Sequence, residues 1–134
     1  MSLGRESVMQ DFKRLIAWQK AHALTLSVYR MAECLPRGKV VGLRSQVLRA
    51  VSSISANLAE GCGKQSDAEF ARFVEIALSS ALEVENHLIL ARYLALMTTE
   101  DFDGLERQVS EVRRILIALS RGIRERVKRR RRET

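Results

Sequence analysis

The sequence predicts an all-α chain folded as an antiparallel, up-down-up-down four-helix bundle. Three observations carry that prediction. Apolar residues recur at three- and four-residue spacing through four long segments, with no strand-type alternation between them. The 134 residues include one Pro and seven Gly, few for a turn-rich β protein, and 46% are hydrophobic, which suits one folded core. The breaks between the segments are short, and short connections between long helices make sequence neighbours antiparallel.

The first helix is expected over about Asp11 to Leu35, with Asp11 as N-cap before Phe12. Leu15, Trp18, Ala21, Leu24/Thr25, Val28, Ala32 and Leu35 form its stripe, while Ile16, Ala23, Leu26 and Met31 widen the apolar surface. Pro36 ends it, because a residue preceding proline is pushed out of the helical region. The second helix is expected from about Val40 to Glu60, with Gly61 in the left-handed position that commonly stops a helix. Ser66 and Glu69 make a capping box ahead of Phe70, and the third stripe runs Phe70, Phe73/Val74, Ala77, Ala81, Val84, Leu88, Ala91, Leu94/Ala95. A second line, Ile76, Leu78, Leu82, Ile89 and Leu96, faces elsewhere. Thr98 and Thr99 open the fourth helix, with Glu100, Asp101 and Asp103 where the helix dipole favours acids. Its seam, Phe102, Leu105, Val109, Val112, Leu116, Leu119 and Ile123, is the cleanest periodicity in the chain. The expected organisation is a flexible N-terminus over 1–10, a bundle over 11–126 and a basic tail over 127–134.

The second helix has an unusual polar face. Val47, Ala50, Val51, Ile54 and Leu58 make its apolar stripe, but Ser52, Ser53, Ser55, Ala56 and Ala59 occupy the other side. Serines are weaker helix formers than the Lys, Glu and Gln of a solvated face, so close helix–helix or subunit contact is the better reason for them. Apolar surface on the first and third helices exceeds one bundle seam, which points to self-association.

Charge is distributed unevenly. Residues 121–134 hold eight cations against Glu125 and Glu133, so this segment accounts for +6 of the formal +7 and leaves +1 for residues 1–120. Lys128, Arg129, Arg130, Arg131 and Arg132 are consecutive, more than a helix C-terminus needs. They are the expected nucleic-acid contacts, and their binding to phosphates would be salt-sensitive and sequence-independent. No apolar run approaches a membrane span, and the first twelve residues lack the apolar core of a secretory signal. Cys34 and Cys62 show no zinc-like spacing, and a reduced cytoplasmic protein is the natural reading.

Asn57 and Glu60 form the first candidate polar site. A carboxylate at a helix C-terminus is disfavoured by ~0.3–1 kcal/mol, and Arg49, with Arg44, Lys64 or Arg72, would offset that. Arg49, Asn57 and Glu60 are therefore read as a structural polar cluster that fixes helix register or subunit docking. One carboxylate without a matched base, nucleophile or metal set is too little for catalysis. His87 follows Glu83 by four positions and Glu85 by two, so the Glu-x-x-His of a di-iron bundle is absent, and His22 has no acidic partner one turn away. No catalytic, cofactor-binding or metal-binding residue is expected. Trp18 and Tyr29 read as core and interface anchors, since the seven aromatics are not interleaved with basic residues as a stacking platform requires.

Several motifs recur together: Leu15-x-x-Trp18-Gln19-Lys20-Ala21, Val28-Tyr29, Leu35-Pro36, Gly42-Leu43-x-Ser45-Gln46-x-x-Arg49-Ala50, Ser53-Ile54 and Asn57-x-Ala59-Glu60-Gly61. In order and interval they resemble the four-helix bundle proteins encoded in intervening sequences of bacterial large-subunit (23S) ribosomal RNA genes. The resemblance spans about Phe12 to Leu119 and implies an antiparallel bundle assembled as a homopentameric ring; it supplies a fold and an assembly rather than a reaction. That family is similar in fold to the accessory protein of diversity-generating retroelements, which implies a nucleic-acid enzyme as partner. Ser55 stands where the family often has Pro, so the second helix is expected to run straighter, and Ser79 stands where it often has Gly. The arginine run lies outside the family pattern.

Two functions stay open at this point. One is an oligomeric scaffold that binds RNA or DNA through its basic tails; the other is a protein–protein adaptor ring with no nucleic-acid role.

Overall fold

The computed structural model describes residues 11–36 and 41–134, and the side chain of Val41 is not part of that description. The N-terminal segment 1–10 and the start of the second helix at Val40 lie outside the described residues. Within them the chain is all helical: a 3₁₀ turn at Phe12–Arg14, then α1 (Ile16–Ala32), α2 (Val41–Cys62), α3 (Asp67–Tyr93) and α4 (Thr99–Glu133). α2 and α4 both pack on α3, and α1 lies against α2 and α4, so the four helices enclose one core.

Contacts between side chains give the directions. Glu75 reaches Arg124 while Glu85 reaches Arg113, so numbering rises along α3 as it falls along α4. Gln108 donates to Ser27 at 3.1 Å, and Lys20 pairs with Glu111 at 3.2 Å, which orders α4 against α1 in the same opposed sense.

The first helix differs from its sequence reading. Asp11 caps the 3₁₀ turn, its carboxylate accepting from the Lys13 amide at 3.0 Å, rather than the α-helix. Leu15 is extended, and α1 begins only at Ile16. The break folds Phe12 back so that its ring meets Trp18 edge-on at 5.3 Å. α1 ends at Ala32, and the Cys34 and Leu35 amides close a tight turn on Met31 and Ala32 ahead of Pro36.

α2 shows a second difference. Gly61 has no positive φ and lies inside the helix, which runs on to Cys62. The glycine is required by space instead. A Cβ on Gly61 would sit 2.8 Å from Phe73 Cβ and 3.0 Å from Phe70 Cδ1, so its absence lets the end of α2 meet the start of α3. The helix passes Ser55 unbroken.

The core follows the apolar stripes. Val47, Ala50, Val51, Ile54 and Leu58 from α2 are buried, as are Leu105, Val109, Val112, Leu116 and Ile123 from α4. Phe102 and Leu119 pack against that core half-buried. The third stripe is shorter than the sequence suggests, because Leu94 and Ala95 are outside and α3 stops at Tyr93. Ala95 takes φ 58°, the Leu96 amide donates to Ala91 O at 2.9 Å, and the Ala95 amide donates to Arg92 O at 2.9 Å. These bonds satisfy the last carbonyls of α3, with an alanine where glycine is usual. Ala32 and Leu35 form a satellite cluster at this end with Leu43, Leu48 and Leu96.

Candidate functional site

α4 carries the cations, and its geometry sorts them into two sets. The helix continues unbroken to Glu133, so the expected boundary at 126/127 coincides with no break in structure. Ile123, the last seam residue, is buried. Beyond it the helix is held by charge. Arg126 Nε lies 3.6 Å and Arg130 Nη1 2.6 Å from Asp67 Oδ2, and the Asp67 side chain is only 2% exposed. Positions four apart share a helix face, which is why Arg126 and Arg130 converge on one carboxylate. One turn earlier, Arg124 grips Glu75 through Nε at 3.0 Å and Nη2 at 2.8 Å, and Ser120 donates to the same carboxylate at 3.1 Å. The Arg124 hydrogen bonds hold the Glu75 carboxyl below the usual range.

The five consecutive cations of the tail therefore do different things. Arg130 faces Asp67, and Lys128 sits 3.9 Å from Glu125. Arg129, Arg131 and Arg132 are exposed, and their side chains form no ion pair among the described residues. In the sequence Asp67 stands only as one of the two residues inside the Ser66–Glu69 capping box. Its burial under residues 59 and 63 positions later has no local signal.

The polar cluster read from the sequence divides as well. Asn57 Nδ2 donates to Ser53 O at 2.8 Å and to Ser53 Oγ at 2.9 Å, and Ser53 Oγ lies 2.8 Å from Ser80 Oγ on α3. Asn57 thus stands in a small network between α2 and α3. Arg49 and Glu60 are both exposed and, eleven residues apart, are separated by roughly 16 Å along the helix. No ion pair joins Glu60 to Arg44, Arg49 or Arg72 among the described residues, and Lys64 lies over the Phe73 ring at 5.0 Å. On the same serine-rich face, Ser52 bonds Tyr29 of α1 at 3.0 Å, whereas Ala56 is exposed.

A third polar group was not foreseen. Glu106 of α4 faces Glu85 of α3, with Arg113 Nη1 2.6 Å from Glu85 and Ser110 donating to Glu106 at 3.3 Å. Burial, then the hydrogen bond and charge of Glu85, push the Glu106 carboxyl up to about 7. It keeps its proton well above the range of a free glutamate.

The remaining candidates offer little chemistry. His87 is buried with Nε2 3.4 Å from Glu83, and His22 stacks on Trp18 at 4.8 Å. Cys34 is exposed and Cys62 buried, both free thiols. An open groove of about 410 Å³ between α1 and α4 is lined by Ser27, Arg30, Cys34, Glu100, Asp101 and Gln108 among others. No group of three or more His, Cys, Asp or Glu among the described residues could hold a metal ion. No described helix is long and apolar enough to cross a membrane.

The fold and its charged face define the class: a small all-α protein of four packed helices with a basic C-terminal helix. Residues 13–118 match the sequence pattern of the 23S rRNA-intervening sequence proteins, and the chain belongs to that family. A solved structure of a protein of unknown function from the S23 ribosomal protein family of Bacteroides thetaiotaomicron has the same fold, with a TM-score of 0.71. It is 24% identical to this chain, and the likeness covers 78% of this chain and 98% of that one. No curated protein matches the sequence.

Proposed function

We propose that the protein is a non-enzymatic, cytoplasmic helical-bundle scaffold that binds RNA or DNA without sequence preference through its basic C-terminal helices. The observation that carries this reading is the exposed cationic end of α4, with Lys128, Arg129, Arg131 and Arg132 at its surface. Arginine presents a planar fork of donors that suits phosphate oxygens. Neither the description of the family nor that of the solved relative names a reaction.

The bundle is antiparallel throughout in this proposal, in keeping with the opposed numbering of the side-chain pairs above. It assembles as a ring of identical subunits, a homopentamer by its resemblance to the family. Exposed apolar side chains support self-association: Ile16 and Leu26 on α1, and Ile76, Leu82 and Ile89 on α3. Several basic ends on one ring would strengthen weak binding by avidity and could serve a nucleic-acid enzyme as partner. Light scattering should give several times the 15.2 kDa chain mass. A concentration-independent monomer would remove the ring from the proposal.

The binding test compares the intact chain with one lacking 127–134, titrated against labelled RNA and DNA. Intact protein should bind tightly at low salt and weakly at high salt, and the truncation should lose much of that affinity. Truncated protein that binds as tightly as intact protein would overturn the role of the tail. The competing reading, an adaptor ring without a nucleic-acid role, draws on Tyr93 and Leu94, which are 85% and 54% exposed. It takes over if intact protein binds neither RNA nor DNA at low salt.

A further inference from the structure

The exposed cations of α4 do not begin at the tail. Arg107, Arg114, Arg121 and Lys128 are seven residues apart, and Arg132 follows four residues after Lys128. Residues seven apart on an α-helix differ by only about 20° in direction. These five side chains therefore form one row, opposite the buried seam of Leu105, Val109, Val112, Leu116 and Ile123. All five are exposed. At ~1.5 Å per residue the sevenfold steps are about 10 Å and the whole row about 37 Å long.

The acids that share this face are occupied. Glu111 is held by Lys20 of α1 at 3.2 Å, and Glu125 sits 3.9 Å from Lys128. Glu100 and Asp103 lie before the row, in the opening turns of the helix. The arginines that serve the fold point elsewhere on the same helix, Arg113 to Glu85, Arg124 to Glu75, and Arg126 and Arg130 to Asp67. By contrast, the side chains of Arg107, Arg114, Arg121 and Arg132 form no ion pair or hydrogen bond among the described residues. Between them lie Ala118 and Gly122, and nothing comes within 4 Å of a Cβ built on Gly122. The row is flat, cationic and free of large apolar side chains.

We infer that this row is a binding face for the phosphodiester backbone of a nucleic-acid strand, running from the tail up the body of the bundle. The inference rests on the proposal that the basic end of α4 binds nucleic acid, and it extends that surface to Arg107. Regular steps of positive charge complement a polymer whose negative charge is equally regular, and guanidinium groups suit its oxygens. The row carries no aromatic residue, so it offers no stacking platform for bases and reads only backbone.

The test uses four proteins: the intact chain, Arg107→Gln/Arg114→Gln/Arg121→Gln, the chain without 127–134, which also takes Arg130 from Asp67, and both changes combined. Glutamine keeps helix propensity while removing charge, and circular dichroism melts check that each variant is folded. Anisotropy of a labelled single-stranded 30-mer, as RNA and as DNA, is followed across a salt series. The triple variant should show a log–log salt slope shallower by about 2, from roughly 0.7 per phosphate lost at three sites. The truncated chain should keep weaker, salt-sensitive binding that the combined variant loses. If the triple variant binds with the slope of the intact chain while truncation abolishes binding, the row is overturned and the tail survives. If intact protein binds neither strand at low salt, both fall together. Equal affinity for poly-glutamate would overturn nucleic acid as the occupant.

Discussion

The two ends of the bundle are closed by different physics. At one end α2 hands over to α3 across a glycine, and the last turns of α4 fold over a buried carboxylate. At the other, α3 hands over to α4 through backbone bonds around a left-handed alanine, leaving Tyr93 and Leu94 outside. Close approach and a paired internal charge hold the first end, and they let α4 extend past its last seam residue. The second end relies on a cap and the small Ala32–Leu35 cluster. An internal charge is costly to leave buried once its partners are gone, whereas a backbone cap is a modest local term.

The sharpest way to break the contrast is to take Arg126 and Arg130 from Asp67. Arg126→Gln/Arg130→Gln takes these two cations from a 2% exposed carboxylate and should destabilise the chain by about 3 kcal/mol, read by urea melts. Arg124→Gln at the partly exposed Glu75 should cost at most ~1 kcal/mol. Equal costs at the two sites would mean that Asp67 is not the anchor of this end.

Gly61→Ala probes the close approach at the same end. The new methyl would meet Phe73 and Phe70 at 2.8 and 3.0 Å, and overpacking of this kind costs ~1–3 kcal/mol. A melt like that of the parent would mean that the contact with Phe73 and Phe70 has room for a methyl group.

Between the ends, the Glu85–Glu106 pair should make stability depend on pH. Glu106 binds its proton more tightly in the folded chain than in the unfolded one. Its stabilising contribution is therefore fully present below pH 4.5 and is lost as pH rises towards about 7. Glu75 acts in the opposite direction, losing its contribution as pH falls into the acid range. Denaturant midpoints at pH 5 and 8 should differ less in Glu106→Gln than in the parent. An unchanged difference would exclude the pair as its source.

The smallest effect belongs to the second end. Ala95→Gly relieves a left-handed residue, which costs ~1–2 kcal/mol for a side chain with a Cβ. Part of that gain is offset by the greater freedom of glycine in the unfolded chain. A melting temperature a few degrees higher is the expected outcome, and a lower one would contradict the cap geometry.

The same contrast explains which parts of the molecule can be read from sequence. The seam of α4 was legible because three- and four-residue steps allow only one buried face. Gly61 was legible as special but not in kind, since a glycine at a helix end fits both a left-handed stop and a close contact. Ala95 carries no signal at all, because nothing in the residue type announces positive φ. Asn57 could be picked out as an amide in a serine-rich helix, yet its partners Ser53 and Ser80 depend on how α2 meets α3. The basic row was hidden by counting charge in segments: residues 1–120 sum to +1 although Arg107, Arg114 and Arg121 share one exposed face. Charge summed along the chain ignores direction, and the helix supplies the direction.

The basic end of α4 is an ordered helix locked to the bundle through Asp67. Amide hydrogen exchange over 127–133 tests it directly, in the intact chain and in Asp67→Asn. Measurable protection is expected in the intact chain and its loss in the variant, with the core amides of α2 and α3 still protected. Amides over 127–133 that exchange at the free-chain rate in both proteins would contradict it.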